Sequence, residues 1–142
     1  LKNYKLLVKY NRPTRPKRVL FVGLCPSKKN LSPEIAFLGT QSFTRLVKLV
    51  HDVKLDGCYD YSFINLYFDI EKTRQNRRVD QSWKYFDKIV LLGKEVNERL
   101  NLAAEYMPSK FIYIPHPSGL NRIWNNKKNY EIVVQTLEEF LK

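Results

Sequence analysis

The sequence predicts a three-layer α/β/α domain on a central four-stranded parallel sheet. Three observations carry that expectation. Four short runs, Val19-Leu20-Phe21-Val22, Tyr61-Ser62-Phe63-Ile64, Ile89-Val90-Leu91-Leu92 and Phe111-Ile112-Tyr113-Ile114, are apolar nearly throughout, as strands covered on both faces are. Segments of helical period alternate with them, which argues for parallel pairing through right-handed helical crossovers. The chain has 142 residues, 44% of them hydrophobic, which suits one domain, 1–142, with a full core.

Taken in order, Leu1 to Lys17 is basic, and its apolar Leu6, Leu7, Val8 and Tyr10 fit a short helix or an edge strand equally well. Arg12-Pro13-Thr14-Arg15-Pro16 is a breaker. Val19 to Val22 follows as the first core strand, leaving through Gly23-Leu24-Cys25-Pro26-Ser27 and then Lys28 and Lys29, whose charges suit a phosphate. Residues 31–40 read as a loop with Pro33 and Gly39. Phe43, Leu46, Val47 and Val50 recur at i, i+3, i+4 and i+7, one face of a helix capped by Thr40 or Ser42. Asp56-Gly57 marks a turn before the second core strand, which ends at Asn65. Residues 69–80 are highly polar, and a short helix is expected over 80–86. The third strand, 88–92, ends at Gly93, and a helix over 95–101 turns Val96 and Leu100 inward. Phe111 to Ile114 is the fourth strand, and Tyr130, Val133, Val134, Leu137 and Leu141 give the period of a closing helix.

Composition narrows the function. Lys and Arg number 25 against 14 acids, a net charge of +11, which favours a polyanionic partner such as nucleic acid over a merely basic surface. The two cysteines, Cys25 and Cys58, are too few for a four-cysteine metal or iron–sulfur site and form no disulfide framework. An intracellular setting is therefore expected, with no metal, no cofactor and no membrane partner. No apolar run approaches the length of a membrane span.

The stretch Pro115-His116-Pro117-Ser118-Gly119-Leu120-Asn121-Arg122 leaves the last strand at its carboxyl end, where open α/β sheets place their sites. His116 is the group here that titrates near neutral pH, and Leu120 is an apolar residue in a polar loop. A tight turn with Leu120 tucked inward explains the same residues without a function.

Ordered features over about residues 18–140 resemble the uracil-DNA glycosylase superfamily. Gly23-Leu24-Cys25-Pro26-Ser27 is similar to its first active-site loop, and His116-Pro117-Ser118-Gly119-Leu120-Asn121-Arg122 to its His-Pro-Ser loop. Ala36-Phe37-Leu38-Gly39, Phe63-Ile64-Asn65 and the run ending at Gly93 resemble segments of the iron–sulfur branches, whose cluster cysteines are missing here. The resemblance implies a monomeric enzyme that flips a uracil or modified pyrimidine out of duplex or single-stranded DNA and hydrolyses its N-glycosidic bond. It implies that Phe37 stacks on the base within a pocket built by residues 23–27, and that Asn65 reads its Watson–Crick edge. It further implies that His116 donates to base O2, Ser118 and neighbouring amides hold phosphate, and Leu120 fills the vacated stack. Lys28, Lys29, Arg74, Gly119, Asn121 and Arg122 are the other expected DNA contacts; Arg77 and Arg78 share the polar loop of Arg74.

The sequence departs from the family in the first loop. Leu24 and Cys25 stand where most branches carry the polar group that orients water or the sugar cation, a pattern nearest to the branch reading Gly-Leu-Ala-Pro. Asp69, Asn30 and Asn121 are candidate substitutes, and Cys25 is a poor nucleophile with no basic neighbour. A catalytically silent DNA-binding protein of the same fold is the main alternative, and a pocket for free nucleosides a weaker one. The Lys/Asn-rich composition suits an AT-rich genome, with phage biology or genome defence as natural settings. Trp124 is expected to pack under the second loop, His51 to be structural, and Glu138-Glu139 to be solvated. Lys127 and Lys128 open the last helix, where cations oppose the dipole, and so hint at a neighbouring anion.

Overall fold

A computed structural model describes residues 4–9 (backbone only), 16–24, 39–55, 57–67, 84–100, 109–118 and 121–142. Its sheet has five strands: β1 (Tyr4–Lys9), β2 (Lys17–Gly23), β3 (Cys58–Asn65), β4 (Lys88–Leu92) and β5 (Phe111–Ile114). The spatial order is β1-β3-β2-β4-β5. The four expected strands are parallel, and β1 joins β3 antiparallel, with Tyr4 opposite Phe63 and Lys9 opposite Cys58. The open choice at the N-terminus is thus settled as an edge strand, and the sheet gains a fifth member. β3 starts at Cys58, three residues before the apolar run that announced it.

Helices cover both faces. α1 (Gln41–Asp52) lies between β2 and β3, capped by Thr40, whose Oγ1 accepts from Phe43 N at 3.2 Å. α2 (Lys94–Arg99) lies between β4 and β5, starting one residue earlier than the periodicity suggested. α3 (Lys127–Leu141) closes the chain after a 3-10 turn, Arg122–Asn125. Of the short helix expected over 80–86, residues 84–85 form a single 3-10 turn and 80–83 lie outside the described residues.

The sheet divides the core in two. Val19, Phe21, Tyr61, Phe63, Val90 and Leu92 pack with Leu46, Leu49 and Val50 of α1 and Val133, Leu137 and Leu141 of α3. Leu20, Val22, Ile64, Ile89 and Leu91 pack on the other face with Val96 and Leu100. This gives the three layers. β3 lies on one side of β2 and β4 on the other. Crossovers of one hand running in opposite directions along a sheet put their helices on opposite faces, and α1 and α2 are so placed. Among the described residues no helix is long and apolar enough to cross a membrane.

The two ends of the sheet differ. At the amino ends of the strands, Leu141 O accepts from Lys17 Nζ at 2.9 Å and from Tyr59 Oη at 3.2 Å. A cation at the last carbonyl of α3 complements the helix dipole. The carboxyl ends of β2 and β4 flank the point where the strand order reverses, which leaves a crevice there.

Candidate functional site

The crevice is an open cleft of ≈ 470 Å³ lined by Leu24, Leu92, Gly93, Lys94, Glu95, Val96, His116, Ser118 and Asn121. It brings Leu24, at the start of the first loop singled out in the sequence, together with His116, Ser118 and Asn121 of the second. Leu24 is held because the ladder runs on beyond β2: Leu66 N donates to Gly23 O at 2.7 Å and Tyr67 N to Leu24 O at 2.8 Å. Gly93 N donates to Ile114 O at 2.8 Å, joining the exits of β4 and β5. Gly93 has φ 102° and ψ 162°, and a Cβ there would lie 3.1 Å from His116 Cβ. The imidazole therefore packs on a backbone that a side chain would push away.

The loop carrying His116 is fixed by its carbonyls. Trp124 Nε1 donates to Pro115 O at 3.2 Å, and Asn121 Nδ2 to His116 O at 2.8 Å. Arg45, from α1, donates through Nη1 to Ser118 O at 2.5 Å and to Pro117 O and Asn121 O at 3.4 Å. Its Nη2 donates to Asn125 Oδ1 at 2.8 Å. Trp124 is buried beneath the loop, as its position suggested.

The state of His116 follows from one bond. Ser118 N–H donates to His116 Nδ1 at 2.9 Å. A backbone amide only donates, so Nδ1 carries a lone pair and the ring proton sits on Nε2. Burial of the half-buried ring lowers its pKa from 6.5, disfavouring the cation further. His116 is thus a neutral imidazole with one N–H to offer.

Other expected residues fall differently. Asn65 is 3% exposed at the end of β3, opposite Gly23 in the strand register, and is not among the residues lining the cleft. The Ser118 amide is committed to His116, and the Asn121 amide donates to Ser118 O at 2.9 Å, so neither is presented to a phosphate as the resemblance implied. The Asn121 carboxamide holds His116 O and accepts from Ile123 N at 3.2 Å, which counts against it as the group that orients water. Arg122 is exposed on the 3-10 turn outside the cleft wall. Lys127 and Lys128 are exposed at the start of α3, with Asn126 as its cap. Cys25, Pro26, Ser27, Lys28, Lys29, Asn30, Phe37, Asp69, Arg74, Arg77, Arg78, Gly119 and Leu120 lie outside the described residues.

Sequence reasoning missed Arg45, Lys94 and Glu95. Glu95 is the acid among the cleft's described lining residues, and its Oε1 accepts from Arg99 Nη2 at 3.1 Å. The exit glycine Gly93, which marks where the cleft opens beside α2, was the signal for the last two. Arg45 gave a fainter one, a cation beside the apolar stripe of α1. Compared with protein-family models and with curated proteins, the chain matches none.

Proposed function

We propose that the protein is a DNA glycosylase with a uracil-DNA glycosylase-like fold, which hydrolyses the N-glycosidic bond of an extruded uracil or modified pyrimidine and leaves an abasic site. One observation carries the reading: Leu24 from the first loop and His116 from the second line a single cleft, and His116 is held there as a neutral N–H donor. The cleft volume of ≈ 470 Å³ falls in the range of small-molecule sites. The +11 charge supplies attraction to a phosphate backbone.

In this reaction a water oxygen bonds to C1′ of the sugar as the C1′–N1 bond breaks. The electron pair leaves with the base and spreads onto its carbonyl oxygens. A hydrogen bond from His116 Nε2–H to O2 strengthens as that charge grows, so it stabilises the transition state more than the ground state. The proton given up by the water ends on the departing base. The resemblance assigns the base edge to Asn65, whose carboxamide has both a donor and an acceptor; it is buried at the end of β3 and off the described cleft wall, so Asn65→Ala tests that role separately from His116.

The test is a panel of single- and double-stranded oligonucleotides carrying uracil, hypoxanthine or modified pyrimidines, cleaved with alkali at any abasic site. Removing one oxyanion donor lowers kcat by about 10²–10³. His116→Ala is therefore expected to lose that much, and Asn65→Ala to lose base selection, with DNA binding kept in both. Full excision by both variants would overturn these roles. The apolar Leu24 at the cleft wall favours a second reading, a silent DNA-binding protein. Salt-sensitive binding with no excision of any base in the panel would establish that reading instead.

A further inference from the structure

Arg45 stands 72 to 80 residues away in sequence from every group it holds on the second loop and the turn after it. Its Nη1 is shared among three loop carbonyls while Nη2 reaches the Asn125 side-chain carbonyl, so the two arms of the guanidinium grip separate groups. The bond to Pro117 O has a particular consequence. Pro117 O and Ser118 N belong to the same peptide unit. Its carbonyl accepts from Arg45 at 3.4 Å, and its N–H donates to His116 Nδ1 at 2.9 Å. A cation on the oxygen of an amide polarises the unit and strengthens the N–H as a donor. The shorter contact at Ser118 O and the one at Asn121 O tie two further carbonyls to the same guanidinium.

We propose that Arg45 is a positioning residue, which orients and polarises the 117–118 peptide so that its N–H holds His116 Nδ1 and leaves Nε2–H as the imidazole's donor. Arg45 does this from behind the loop. It lines a separate hollow of ≈ 310 Å³ with Lys48, Trp124, Asn125, Lys127 and Tyr130, and it is not among the residues lining the cleft. Among the described residues, the charged side chains that line the cleft beside His116 are Lys94 and Glu95 of α2, of opposite sign; Arg122 follows the loop on the exposed 3-10 turn. Arg45 thus fixes a directed N–H at Nδ1, which disfavours the imidazolium. The part that concerns the ring stands on the geometry alone; the consequence for catalysis rests on the glycosylase reading.

The experiment is nitrogen-15 NMR of the two histidine rings in the intact protein, with His51→Gln identifying the His116 signals. The wild type is expected to show His116 as the Nε2–H tautomer, titrating below the ordinary histidine range. In Arg45→Ala the tautomers should mix and the titration move up towards 6.5, the ordinary value. Arg45→Lys, which keeps the charge but not the fork, should fall between, and it replaces the alanine variant if that one does not fold. A His116 tautomer and titration unchanged in the folded variant would overturn the proposal, whatever the variant does to stability. If excision is found, Arg45→Ala should lower kcat about 10–100-fold with KM little changed, as a small misplacement of a reacting group does. Absence of excision in the wild type would refute the glycosylase reading and leave the tautomer measurement to decide this one.

Discussion

Gly93→Ala tests the packing on which the cleft depends. Gly93 has φ 102° and ψ 162°. That region is essentially limited to glycine and costs another residue about 1–3 kcal/mol. The new Cβ would also meet His116 Cβ at 3.1 Å, a few tenths of an ångström inside ordinary contact. Neither side yields easily. Gly93 N is bonded to Ile114 O, and His116 is fixed through Ser118 N and Asn121 Nδ2. Strain and overpacking together give a loss of about 2–4 kcal/mol. For a chain of 142 residues that lowers Tm by roughly 7–13 °C. Urea and thermal unfolding followed by circular dichroism measure it, with an unchanged m-value showing that stability alone has moved. In a His116→Gly background only the backbone strain remains, so the cycle should show a coupling of about 0.5–1.5 kcal/mol. A wild-type Tm for Gly93→Ala would refute the strain, and strict additivity would refute the contact.

The pH dependence has a defined sign. Burial lowers the pKa of His116 from 6.5, so the unfolded chain takes up this proton first as pH falls. The stability tied to the neutral ring is complete above pH 6.5 and is lost as pH falls from there through the depressed folded value. Excision should accordingly hold level through that point and decline only at lower pH; an inflection above 6.5 would contradict a neutral donor. Trp124→Phe removes the donor to Pro115 O and shrinks a side chain that is 8% exposed. A half-buried carbonyl left without its partner, plus the space vacated, is worth about 1.5–3 kcal/mol. Thermal melts should register a drop of roughly 5–10 °C, and a loss under 1 °C would mean that the indole does not hold the loop.

Much of this arrangement was legible in the residues themselves, for separable reasons. A central parallel strand is covered on both faces, so Val19 to Val22 and Ile89 to Leu92, all fully buried, had to be continuous apolar runs. An amphipathic helix writes its period in sequence, and Leu46 and Val50 face the core as that period required, while Leu49, outside the predicted stripe, is buried with them and Val47 is only half-buried. The exits of β2 and β4 were marked by glycine, and Gly93 shows why at that site. The strand order was not written in the residues and came from the structure. β1 was undecided because an edge strand takes its identity from its partner, and β3 lies about fifty residues away along the chain.

What the chain determined alone was therefore which segments are strands and helices, and that two unusual loops leave the sheet. Short-range periodicity and turn chemistry are properties of neighbouring residues. Only the tertiary structure decided that Leu24 and His116 line one cleft, that Asn65 lies off its described wall, and that His116 is neutral with its proton on Nε2. It also decided the place of Arg45, which beside an apolar stripe looks like any solvated cation. A side chain's protonation and hydrogen-bond partners are set by groups within a few ångströms in space. For Arg45 and His116 the groups that matter arrive from distant elements or through the path of the loop, and no local pattern encodes them.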